Sequence, residues 1–227
     1  MLALVLVLAA SPPGLATVVP SSTPVGIPAG TYRLEVEVVA LTDVPLLGPQ
    51  RSITTTLSHA VVNEQGLVVA TACAMSTEGP GFSTRMPASS IHAMAPARFT
   101  FVRADGYWQG DMGVGQLGYR GKGALPEDAS DPRVRDDDGD GEPGLRVELQ
   151  SPLGLHVIQV VASGHTVLVA TLDDDGATGG LQIRTEERVL SGLPFSPRQP
   201  SQVDAQLSRF RLRRVDATSC AELGEAH

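Results

Sequence analysis

Between Tyr32 and Val38 the chain alternates apolar and charged positions, with Tyr32, Leu34, Val36 and Val38 set against Arg33, Glu35 and Glu37. A period of two predicts a strand with one face on a core and the other in water. The same reading predicts strands over residues 52–62 and 67–75, joined as a hairpin through Asn63-Glu64-Gln65-Gly66. It predicts a second hairpin from 97–103 to 107–112 through Asp105-Gly106, a dipeptide suited to a tight primed turn. Shorter strands follow over 91–94, 114–119, 145–149, 155–161, 166–172 and 181–184, and a last one over 207–215. Gly79-Pro80-Gly81, Ser163-Gly164-His165 and Asp173-Asp174-Asp175-Gly176 read as turns. Residues 186–190 read as one helical turn, Pro194, Pro197 and Pro200 as a rigid linker, and Ser201 with Asp204 as the cap of a short helix or, alternatively, part of an extended segment.

With the shortest segments taken as parts of their neighbours, roughly nine or ten strands joined mostly by short turns predict an all-β fold. The first expectation is a single antiparallel meander barrel, the second a β-sandwich. Charge favours the barrel. The outer face of the first strand carries Glu35 and Glu37, and that of the last carries Arg209, Arg211 and Arg213. Opposite charges on facing strands stabilise a pair by about 0.2–1 kcal/mol, and pairing the first strand with the last removes both open edges. Gly30-Thr31-Tyr32, at the start of the first strand, and Arg213 or Arg214 in the last resemble the Gly-x-Trp and late arginine of lipocalin-like barrels, with Tyr32 in place of Trp. That resemblance implies a small apolar ligand inside the barrel.

Composition narrows the compartment and the partners. A net charge of −8 argues against a nucleic-acid surface. The apolar run from Leu2 to Ala10 is too short to span a bilayer and reads as the core of a signal peptide. The expected organisation is a signal peptide over 1–16, an extended leader over 17–29, a β domain over 30–220 and a tail over 221–227, in a secreted or periplasmic protein without a membrane span. Export permits a disulfide, and Cys73 and Cys220 allow only one pairing.

The specific chemistry lies in the long acidic break over 121–144. Asp136-Asp137-Asp138-Gly139-Asp140-Gly141 fits D-x-D-x-D-G, in which alternate carboxylates converge on one cation and glycine allows the sharp turn. Calcium takes several hard oxygen ligands at flexible geometry. The expected ligands are Asp136, Asp138, Asp140 and Glu142, the last through its backbone carbonyl, with Asp128, Asp131 or Glu148 completing the shell. The segment resembles EF-hand-like calcium loops, including those of thrombospondin type 3 repeats. It departs from the EF-hand where Val147 takes the place of the bidentate glutamate and Pro143 that of the central apolar residue.

The five histidines, His59, His92, His156, His165 and His227, show no metal-ligand spacing, and no nucleophile elbow, phosphate loop or dinucleotide fingerprint occurs. The expectation is an exported non-catalytic structural or binding module carrying calcium, acting on an extracellular or periplasmic partner or small ligand. The alternatives are a barrel carrying a small apolar ligand, marked by an enclosed apolar cavity, and a secreted hydrolase with dispersed carboxylates facing one cleft.

Overall fold

The alternation that opens the sequence becomes β1 (Gly30–Val44), whose Tyr32, Leu34, Val36 and Val38 are buried while Arg33, Glu35 and Glu37 face outward. The computed structural model describes residues 26–44, 48–104, 106–192 and 202–224. The expected signal segment, most of the leader, the proline linker and His227 lie outside them. The remaining strands are β2 (Gly48–Val62), β3 (Leu67–Gly79), β4 (Phe82–Arg85), β5 (Ala97–Ala104), β6 (Tyr107–Leu117), β7 (Leu145–Ser151), β8 (Gly154–Asp173), β9 (Gly176–Ser191), β10 (Gln202–Val203) and β11 (Arg209–Arg214). Two short helices, α1 (Ala88–Ala93) and α2 (Cys220–Gly224), complete the described chain.

Every strand pairing is antiparallel, and the ladder closes on itself. Beginning at β1 it passes through β2, β3, β5, β6, β8, β9 and β11 and returns to β1, so these strands form a ring in chain order. A side branch, β4 with β7, bridges β3 to β8. Closure occurs where the charges placed it: Glu35 lies opposite Arg211 and Glu37 opposite Arg209. Arg209 donates to Glu37, and Arg213 reaches across to Asp173 at 2.8 Å. Arg213 lies opposite Arg33, which is relieved by Glu35 on its own strand at 3.1 Å.

Inside the ring one hydrophobic cluster joins Tyr32, Leu34 and Val36 to Met75, Phe99, Met112, Ile158, Leu168, Phe210 and Leu212. Tyr32 is fully buried, and its hydroxyl escapes an unpaired state by donating to the Pro28 carbonyl at 2.7 Å. Burial raises its pKa. The Arg214 guanidinium lies across Gly30 and donates to the Ala29 carbonyl at 3.2 Å, so Gly30, Tyr32 and Arg214 do meet. One enclosed pocket among the described residues, bordered by Leu34, Val36, Thr56, Ala70 and Met112, holds only about 10 Å³, room for one water rather than an apolar ligand. Cys73 on β3 is bonded to Cys220 after β11, which fastens the tail beside the closure. Among the described residues no helix is long and apolar enough to cross a membrane.

Five local expectations are corrected. Residues 91–94 are not a strand: α1 starts after Pro87 and buries Ile91, with Met94 buried just past its end. Val114 continues β6 past a register shift after Asp111 rather than opening a new strand. Ser163-Gly164-His165 is mid-strand in β8, where Gly164 faces Gly115 on β6 and Thr185 on β9. Two missing side chains let the backbones meet without a turn. Residues 186–190 are strand, because pairing with β8 overrides their helical composition. After β10 comes a turn instead of a helix, with the Asp204 carboxylate accepting the Gln206 and Leu207 N–H groups. It rests on β1, since Asp204 N–H donates to the Val39 carbonyl and Val39 N–H donates to the Ser208 hydroxyl.

Candidate metal centre

The acidic segment leaves the ring at the end of β6 and returns at the start of β7, crossing the outer face of β8. A small second core seats it there, with Tyr119, Leu125 and Val161 buried together and Val134 and Leu190 packed against them. Gly118, with φ +68°, starts the crossing. A Cβ there would collide with the Val160 carbonyl and the Leu145 nitrogen, so only glycine lets the loop lie this close. Arg133 braces the interior of the loop by donating to the Ala124 and Lys122 carbonyls at 2.9 and 3.2 Å.

Within that frame Asp136, Asp138 and Asp140 converge, one carboxylate oxygen of each lying within 4.8 Å of the others. The structure therefore brings together three of the predicted side chains, and this triple-Asp group can hold a metal ion. Glu142 is not part of the group; its N–H donates to Asp140 Oδ1 at 2.9 Å. Asp128, Asp131 and Glu148, expected to complete the shell, are turned elsewhere. Asp128 accepts the Ser130 hydroxyl at 2.6 Å, Asp131 the Arg133 guanidinium at 2.6 Å, and Glu148 the Arg146 guanidinium at 3.3 Å. Those partners hold the Asp128 carboxyl, through the Ser130 hydroxyl first, and the Asp131 carboxyl, through Arg133 first, below the usual range.

Each of the three converging carboxylates is positioned by neutral donors. Asp136 accepts the Asp140 and Gly141 N–H groups at 3.1 and 3.0 Å. Asp138 Oδ2 accepts the Ser90 hydroxyl of α1 at 2.6 Å and the Arg146 N–H of β7 at 3.0 Å. Asp140 Oδ2 accepts the Gln159 amide of β8 at 2.9 Å. Asp138 Oδ1 is buried and has no hydrogen-bond partner. A carboxylate oxygen shut off from water and left unpaired carries a desolvation cost that a cation would offset. The residues present fit such an ion: all-oxygen donors, alternate spacing, and an orphaned oxygen in the most buried of the three.

Sequence reasoning missed Ser90 and Gln159, which lie 48 and 19 positions from their aspartates. It also missed a His165–Asp111 pair, 2.8 Å apart, where β8 and β6 adjoin. His165 also borders an open groove of about 680 Å³ lined by Ser163, Arg184 and Glu186. No family model, curated protein or solved structure matches this chain.

Proposed function

We propose that the protein is an exported, non-catalytic β module in which the 136–142 loop binds one calcium ion and is thereby clamped to the ring. The observation that carries this reading is the unpartnered, buried Oδ1 of Asp138 within a group of three carboxylates. Three unneutralised carboxylates with oxygens within 4.8 Å of one another repel, a cost that solvent reduces at the exposed Asp136 and Asp140 and that a cation would remove. Asp136, Asp138 and Asp140 would supply side-chain oxygens and Glu142 its backbone carbonyl. All are hard ligands, which favours calcium or magnesium over softer metals. The irregular geometry of the loop favours calcium, because magnesium demands a near-ideal octahedron. The Cys73–Cys220 disulfide and the apolar segment near the start of the chain support export.

The test is thermal unfolding of the full chain in 10 mM calcium, in magnesium and in chelator. With affinity in the weak extracellular range of about 10⁻⁴–10⁻³ M, calcium contributes roughly 1.4–2.7 kcal/mol and raises Tm by about 3–10 °C. Asp138→Asn keeps an acceptor for Ser90 and Arg146 but should lose the calcium response. Equal melting temperatures in calcium and chelator would reject the reading.

A further inference from the structure

Gln159 stands on the outer face of β8, at the point where the register with β9 shifts. Outer-face residues of a solvated ring are ordinarily wet, yet Gln159 is only 4% exposed because the acidic loop lies over it. Gly144, at the loop's end, sits against its Cβ. Its amide nitrogen donates to Asp140 Oδ2 at 2.9 Å, and its Oε1 is buried without any partner. A second orphaned oxygen thus belongs to a side chain that touches Asp140, contributed by the ring rather than by the loop.

We infer that Gln159 is a ligand of the bound cation, its amide turning over when the ion enters so that Oε1 replaces Nε2 beside Asp140. This rests on the calcium reading above. The two ends of a glutamine amide have nearly the same shape, so the turn costs little sterically. Oε1 gives up no hydrogen bond by moving, since it has none, while Nε2 gives up its bond to Asp140, a loss that the contact of Oε1 with the ion must offset. In the turned state Oε1 and Asp140 Oδ2 would lie about 2.9 Å apart. For two calcium ligands at about 2.4 Å each, that separation subtends roughly 74° at the ion, close to the spacing within the equatorial plane of a pentagonal bipyramid. Without an ion the same contact would set two oxygens against each other, and the nitrogen faces Asp140 instead. A bulge is a usual device for aiming a strand side chain at such a site. The consequence is a direct tie from the ion to β8, so that metal binding locks the loop onto the ring.

Calorimetric titration of the full chain with calcium chloride tests this, using wild type, Gln159→Leu and Gln159→Glu. Loss of the oxygen in Gln159→Leu should weaken binding about 10-fold or more, the scale for losing one supporting group at a metal site. The added charge in Gln159→Glu should tighten it about 10-fold, because ligand charge tunes such sites. A packing role predicts the opposite sign for Gln159→Glu, so unchanged or weaker binding there overturns the inference while leaving the calcium reading intact. Should Gln159→Leu fail to fold, the side-chain carbonyl carbon of Gln159 in wild type, followed by NMR, gives the second readout. It should shift on calcium addition, and a silent signal in a protein that binds calcium overturns the ligand role. Absence of binding by wild type and Gln159→Glu alike overturns both the inference and the calcium reading.

Discussion

Two acidic surfaces of this molecule use their charge differently. At the seam where β1 meets β11, guanidinium groups answer the carboxylates: Glu37 has Arg209, Glu35 has Arg33 beside it and Arg211 opposite, and Asp173 has Arg213. On the loop over β8, among the described residues, guanidinium groups answer two carboxylates that are not members of the converging group, Asp131 by Arg133 and Asp137 by Arg120. Asp136, Asp138 and Asp140 receive neutral N–H and O–H donors alone. Neutral donors orient a carboxylate without cancelling its charge. The carboxylates of the seam are answered by guanidinium groups of the chain itself, whereas the centre of the loop is arranged for a charge from outside it. Breaking one surface should therefore leave the behaviour of the other standing.

The largest expected effect is on the seam side. The disulfide closes a loop spanning 147 positions and ties β3 to the segment after β11. Chain-entropy reasoning puts its loss at about 5 kcal/mol before any strain is subtracted, so Cys220→Ser should lower Tm by roughly 10–20 °C. Its calcium shift should match that of wild type, because the loop is untouched. A Cys220→Ser protein that no longer responds to calcium would show that the two surfaces act as one unit. The reciprocal change, Asp138→Asn, should erase the calcium shift while altering the melt in chelator by only about 1 kcal/mol, the net scale of one hydrogen bond.

The same contrast explains what could be read from the sequence. The seam was legible because strand alternation fixes which residues share a face, and complementary charge then selects the partner strand. The three aspartates were legible because their spacing is local. Ser90 and Gln159 were not, since no local pattern brings a helix residue and a residue of a distant strand to the same loop. Gln159 sits at a position that alternation assigns to water, and only the crossing loop buries it. The misread elements share one cause. Ile91 and Met94 form an apolar run too short for periodicity to settle. Gly164 resembles a turn until Gly115 is known to face it. The run Glu186-Glu187-Arg188-Val189-Leu190 favours helix until β8 supplies its hydrogen bonds.

A smaller effect probes whether the seam depends on matched charge. Glu37→Arg alone and Arg209→Glu alone should each lower the denaturant midpoint slightly, a small effect because the Arg209 end of the pair is exposed to solvent. The double exchange restores opposite signs and should recover most of the loss, giving a favourable coupling energy that shrinks in high salt. Additive single losses would mean that packing by Phe210 and Leu212 closes the ring without help from charge.

The smallest effect lies on the loop, in a carboxylate that the chain does answer. The Arg133 guanidinium and then its N–H hold the Asp131 carboxyl below the ordinary aspartate range. A carboxyl lowered on folding stabilises the folded loop fully above its unfolded pKa of about 3.9. That contribution begins to fall as pH drops below this value and is gone once the folded carboxyl is protonated. The Arg133 amide, which donates to Asp131 Oδ1 at 2.9 Å, should therefore lose hydrogen-exchange protection as pH falls from about 4.5 towards 2. In Asp131→Asn, which has no charge to lose, its protection factor should stay level over that interval. Calcium binding also weakens in acid, since the ion needs deprotonated ligands, so the comparison is made in chelator. An acid transition unchanged in Asp131→Asn would place the sensitivity on the unanswered carboxylates of the centre instead, and the line between the two kinds of acidic surface would run through the loop at a different point.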